Sequence, residues 1–543
     1  MAGIGTSGGN PNNAQRDLLR LSKKFAGIKL QPYYVRAVVR KPNGLASTST
    51  WKPILLIHEL LGALFRLSPR RFSKIMGNAD DAETYWWEVV RHMPTWFAEH
   101  PYFEDIKANP RAWLPGMIFG DDAKVGKNKA MLVVHMCSPI SKERRTRYRK
   151  LPCFVRSNIN VIQDLTDIPL WEANAWSWKC LAENQYPAVA YDGVTPLTGW
   201  RKRLAGRPIL GEQKVALIRV LGDWQWTADT CHFQQRYDRE AICHRCGATV
   251  HGETNYSNLR SDAKHWDTER SNAIYMASEA ARLSPISMTP GFHVQGVWPE
   301  LMHGGPLGLN LTVAGSVLFE FADEAAWAPR LDSGSFIEKL QNQLSAGFSE
   351  FKRWQSSSRI YCSQPRFTVR RLCMGKKSNI PTPKAKAHNS SVVMLWLKVE
   401  ARKIHDRFPD NTYFRDRAAM LWGLAEFYRV CKRSGQWMSE QELADLQVAR
   451  DSALFLFRKL SGVADEEGTP LYPFRPKLHV VDECNRIAQA TGENPTSTWT
   501  FSDEDNMRVM TLIAQSCHGA TLEYSCLEKW VLQFFSGAES DSD

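Results

Sequence analysis

At 543 residues, with 43% hydrophobic residues and 20 Trp, the chain can bury a core spread over several domains or one large domain with insertions, which excludes a mainly disordered protein. Its 69 Lys and Arg against 57 Asp and Glu leave a formal net charge of +12, which favours polyanionic partners over acid-seeking ones. The 12 Cys are mostly scattered singly, the polar start MAGIGTSGGNPNN has no apolar signal-like stretch, and no apolar run reaches the ~18 residues of a membrane span, so secretion and a membrane partner are not expected.

Residues 1–110 read as a helical N-terminal region with a disordered start, because AETYWWEVVRHMPTWFAEHP repeats its aromatics and aliphatics at helical spacing. Asn109-Pro110 and Pro115 then punctuate the chain. Across 111–240, WLPGMIFGDDAKV, KAMLVVHMC and LPCFVRSNINVI read as three strands. DIPLWEANAWSWKCLAE follows as a helix with Trp171, Ala175, Trp178 and Ala182 on one face, and KVALIRVLGDWQW returns as a buried strand. The predicted order is strand, strand, strand, helix, strand.

The basic loop SKERRTRYRK supplies Arg144, Arg145, Arg147, Arg149 and Lys150 as candidate phosphate contacts. Residues 241–470 read as a mainly helical insertion, with RDRAAMLWGLAEFYRVCKRSG and EQELADLQVARDSALFLFRKLSGV as a helical hairpin. Residues 471–535 return to the core, and 536–543 form an acidic tail. No internal repeat is visible, which argues against a solenoid.

Phosphoryl transfer on DNA needs carboxylates that hold divalent cations ~3.5–4 Å apart. Asp121 and Asp122 on the first of these strands and Asp223 at the end of the strand after the helix are candidates for the first two acids. For the third, Ser502 can cap a helix that leaves Glu504 in its first turn, with Asp503 and Asp505 as alternatives. Cys243 and Cys246 in ICHRCG are spaced as one half of a tetrahedral zinc site. Cys231, His232, His244, His251 and His265 lie near enough in sequence to add ligands, with His251 the candidate third ligand. Glu300 and His303 in WPELMHGG, and Lys477 and His479 in PKLH, are candidate contacts to a nucleic-acid strand.

Taken in order, GDDAKV, AWSWKCLAE, GDWQW, ICHRCGA, ELMHGGPLG, PKLH and NPTSTWTFSDED resemble the DDE-type transposases of the KDZ, Plavaka and CACTA-like groups. The resemblance spans about Trp86 to Trp530 and implies an α/β fold: a ribonuclease-H-like mixed sheet interrupted by a large, mainly helical insertion. It implies Asp121/Asp122, Asp223 and Glu504 as catalytic acids binding Mg2+ or Mn2+, and one structural Zn2+ on the CxxC insert. Where the family has Asp in a D-x-x-H motif, this chain has Glu300 before His303. The implied partner is DNA in the nucleus, with a homo-oligomer as an assembly to test and no small-molecule cofactor. A polymerase reading of GDD fails because most of the chain follows it rather than preceding it. The non-enzymatic rival is a transposase-derived DNA-binding protein that has lost turnover.

Overall fold

The structure is a computed structural model that describes residues 30–536 except 42, 43, 45, 93 and 128. The expected disordered start and the tail after Ser536 lie outside the described residues. The chain forms two units: one runs to Gln234 and adds Arg270–Trp298 and everything from Thr500, and the other comprises Gln235–Glu269 and Pro299–Trp499. The insertion is therefore interrupted by 270–298 and extends to Trp499, beyond the 241–470 expected.

The first unit is built on a mixed six-stranded sheet in the order β1-β2-β5-β4-β3-β6. Its strands are β1 (Tyr33–Arg40), β2 (Ser47–Ile54), β3 (Trp113–Gly126), β4 (Lys129–Cys137), β5 (Leu151–Ser157) and β6 (Lys214–Gly222). Only β3 and β6 run parallel. The apolar runs of β3 to β6 are buried along most of their length, as strands covered on both faces must be.

The N-terminal region, expected as helical, also contains strands. Val35, Ala37 and Val39 are buried while Arg36 and Arg40 are exposed, a period of two that only a strand satisfies, and β2 is rich in Ser and Thr. Helices follow at α1 (Ile57–Leu67), α2 (Pro69–Met76) and α3 (Ala79–Arg91). The last begins with a reciprocal capping box between Asn78 and Asp81.

Helix α4 (Ile168–Glu183) buries Trp171, Ala175, Trp178 and Ala182, as its spacing requires. The Trp178 ring occupies the space where a Cβ of Gly116 would stand, which seats α4 on one face of β3. After β6 comes the short α5 (Trp224–Thr230).

The second unit is mainly helical: α6 (Leu301–Gly304), a π-helical turn at Gly305–Leu309, then α7 (Asn310–Asp323), α8 (Phe336–Ser358), α9 (Ala387–Arg407), α10 (Thr412–Arg433), α11 (Glu440–Glu466) and α12 (Lys477–Thr491). Helices α10 and α11 form the expected hairpin, and Gly423 lets the backbone of Ala449 and Ala453 approach closely.

The chain then re-enters the first unit as α13 (Phe501–Gln515) and α14 (Leu522–Ser536). Phe119 of β3 stacks on His135 of β4, and His135 bonds to Asp503 of α13, so α13 covers the face opposite α4. Among the described residues, no helix is long and apolar enough to cross a membrane.

Candidate functional site

Asp121 and Asp223 owe their proximity to strand register. Gly120 and Gly222 are partners in the parallel β3–β6 pair, and each aspartate follows its glycine at the carboxyl end of the paired segment. Both glycines are required by the Trp226 indole, which lies against their backbones and leaves no room for a Cβ at either position. Trp226 is fixed in turn by its own backbone N–H, which donates to Asp223 Oδ1 at 2.6 Å as the cap of α5.

Glu504 joins from α13, and its carboxyl hydrogen-bonds that of Asp121. Burial first, then the neighbouring Asp223 and Glu504 carboxylates, push the Asp121 carboxyl up to about 8, despite a 2.6 Å hydrogen bond from the Asp122 N–H. A carboxylate cluster with this much mutual repulsion is discharged by a proton or by a cation. Its donors are hard oxygens, the type that Mg2+ and Mn2+ take, so the residues fit the implied metals. A second candidate ligand group stands apart from the acids: among the described residues, Cys243, Cys246 and His479 bring three ligand atoms within 4.8 Å of one another.

Several predicted acids fall elsewhere. Asp122 is a correction: strand alternation turns it to the α4 face, exposed, where its charge is felt by Asp167. Asp503, an alternative for the third acid, is buried and accepts from Lys150 Nζ at 2.6 Å and His135 Nε2 at 2.8 Å. Burial alone would raise its pKa, but Lys150 and His135 outweigh burial and hold it ionised. Asp505 is exposed. The helix starts two residues earlier than expected, so Ser502 lies inside it and Thr500 takes the cap position.

The basic loop divides. Arg144 and Arg147 are exposed, Arg147 also donating to the Tyr148 hydroxyl at 2.5 Å, and Arg145 is drawn to Glu143 and the Tyr148 ring. Arg149 is partly buried, with its Nε lacking a hydrogen-bond partner among the described residues. Lys150 is buried on Asp503 and is not a phosphate contact.

In the second unit Glu300 is a buried helix cap: it accepts from the N–H groups of Met302 and His303, each at 2.7 Å, and sits 2.6 Å from His303 Nδ1. That arrangement engages the buried Glu300 carboxylate locally, so Glu300 is not presented as a strand contact, while the His303 ring is half-buried. Lys477 Nζ donates to the Leu307 carbonyl at 3.3 Å.

His479, read from sequence as a strand contact, is buried against the cysteine pair, with Nε2 3.5 Å from Cys246 Sγ. Arg245 N–H donates to Cys243 Sγ at 3.4 Å, and the Ala248 N–H supports Cys246, so each sulfur receives a backbone donor from two residues downstream. The Cys243 thiol is held well below its usual range by hydrogen bonds from Cys246 and His479.

His251 is a correction. It is exposed and bonded to Glu240, with Nδ1 2.9 Å from Oε2. Cys231 and His232 belong to the first unit, where His232 pairs with Asp164. His265 is instead fully buried, its ring 5.5 Å from that of His479, and both its nitrogens lack a hydrogen-bond partner among the described residues. Two thiols, one imidazole and an orphaned second imidazole suit tetrahedral zinc. Around them, Trp266 stacks on His479 at 5.2 Å, while Arg245 and Arg486 each hold Glu483 at 3.0 Å. Against known proteins, the chain matches no family model and no curated sequence.

Proposed function

We propose that this chain is a transposase-like enzyme that cleaves and transfers DNA strands by two-metal phosphoryl transfer on a ribonuclease-H-like core. The observation that carries the reading is the convergence of Asp121, Asp223 and Glu504 from three separate segments of the first unit. The order β5-β4-β3-β6, antiparallel except for β3–β6 and with α4 leading into β6, supports the core assignment.

Asp121, Asp223 and Glu504 would hold Mg2+ or Mn2+, which when bound activates the attacking oxygen and stabilises the leaving oxygen. The protein fixes where that happens. The cap to Trp226 orients Asp223, and the glycines at 120 and 222 allow the strand ends to meet the indole. Exposed Arg144 and Arg147 supply backbone contacts from the basic loop, in an enzyme acting on nuclear DNA. Cys243, Cys246, His479 and His265 would hold one structural Zn2+ in the second unit.

The test is strand cleavage of supercoiled and short duplex DNA with Mg2+ or Mn2+, comparing wild type with Asp223→Ala. Loss of cleavage with retained DNA binding in the variant is expected. Wild-type binding without any cleavage would make the chain a catalytically inactive DNA-binding protein.

A further inference from the structure

Behind the acids lies a second group of charges that the proposed chemistry does not use. Lys150, at the foot of β5, His135, near the carboxyl end of β4, and Asp503, in the first turn of α13, are all buried and meet at one oxygen, Asp503 Oδ1. The other His135 nitrogen, Nδ1, lies 3.3 Å from the Asn506 side-chain amide, one helical turn beyond Asp503. The neutral imidazole donates from Nε2 to Asp503 and accepts at Nδ1 from Asn506, so each ring nitrogen has one partner.

We infer that Lys150, His135 and Asp503 are positioning residues, a clamp that fixes the rotation of α13 so that Glu504, and not a neighbouring acid, meets Asp121. This rests on the reading of the three acids as the reacting site. Consecutive residues on an α-helix point roughly 100° apart, so three acids in a row face three directions. Anchoring Asp503 to β4 and β5 turns Glu504 toward β3 and leaves Asp505 in solvent.

The clamp also reaches the acid on the sheet. His135 stacks on Phe119, its register partner, with ring centroids 4.9 Å apart, and Phe119 is two residues from Asp121 on the same face of β3. One buried cluster thus references both members of the Asp121–Glu504 pair. A buried ion pair contributes little net stability compared with well-packed apolar side chains, and fixing register is its best-attested use.

The experiment uses the full chain and the double variant Lys150→Met with Asp503→Asn, which removes both charges and strands neither. Thermal melting, Mn2+ binding by calorimetry without DNA, and kcat and KM for Mg2+-dependent cleavage are measured. The double variant should fold, keep KM for DNA within about threefold, lose about 100-fold in kcat and bind Mn2+ at least about tenfold more weakly.

If the double variant fails to fold, His135→Leu removes one donor but keeps the ion pair, and it should lower kcat without moving KM. Wild-type kcat and Mn2+ affinity in whichever variant folds would overturn the clamp alone. A wild-type chain that neither binds Mn2+ nor cleaves DNA would overturn the functional reading and the clamp together.

Discussion

The Trp226 indole lies across Gly120, filling the space a Cβ would take, and the same ring closes over Gly222 on the neighbouring strand. One side chain therefore holds together the strand ends from which Asp121 and Asp223 emerge. Gly120→Ala forces that ring aside. It should cost about 1–3 kcal/mol in stability, as overpacking does, and depress cleavage further than the stability loss explains. Denaturant unfolding and cleavage rates on the same preparation check both.

Asp121 carries a pH signature. An acid raised from its ordinary value near 4 to about 8 binds a proton more tightly in the folded than in the unfolded chain, so its contribution to stability falls as pH rises across that window. Below the window both states are protonated and the effect vanishes. Mg2+ competes with the proton, so its stabilisation should grow with pH. Melting curves with and without Mg2+ at about pH 5.5 and about pH 9 read this directly. A larger Mg2+ shift at the lower pH would contradict the assignment.

Metal analysis separates the two histidines. Purified protein should carry about one zinc per chain, lost with Cys243→Ser and with His479→Ala, as expected when a ligand of a four-coordinate site is removed. His251→Ala should leave the content unchanged because that ring bonds to Glu240 at the surface.

Exposed Arg144 and Arg147 should act through phosphates. Replacing both with Ala should weaken DNA binding on all sequences and reduce the slope of log affinity against log salt by about 2, near one per lost contact. Competition binding across a salt series measures it.

Much of the core was legible because buried strands announce themselves as apolar runs and α4 repeats its tryptophans at helical spacing. Both were found where expected. β1 carries its own signal in the alternation of YYVRAVVR, but that signal is shorter than the helical periodicity of the segment downstream. Asp122 falls to the same period of two: adjacent residues on a strand cannot share a face, so only one of the pair could join Asp223. His479 was not legible as a partner of Cys246, since 233 positions separate them and no local pattern encodes that closure. Glu504 was distinguishable from Asp503 and Asp505 only once the buried contacts of Asp503 fixed the face of α13.

The most direct measurement compares Asp121→Asn with Asp122→Asn in metal-dependent DNA cleavage. The two aspartates are adjacent in sequence and on opposite faces of β3, so composition, charge and the stretch of chain altered are matched. The three-acid site predicts a loss of about 100-fold or more for Asp121→Asn and near wild-type rates for Asp122→Asn. Equal losses in both variants, or a loss confined to Asp122→Asn, would contradict it.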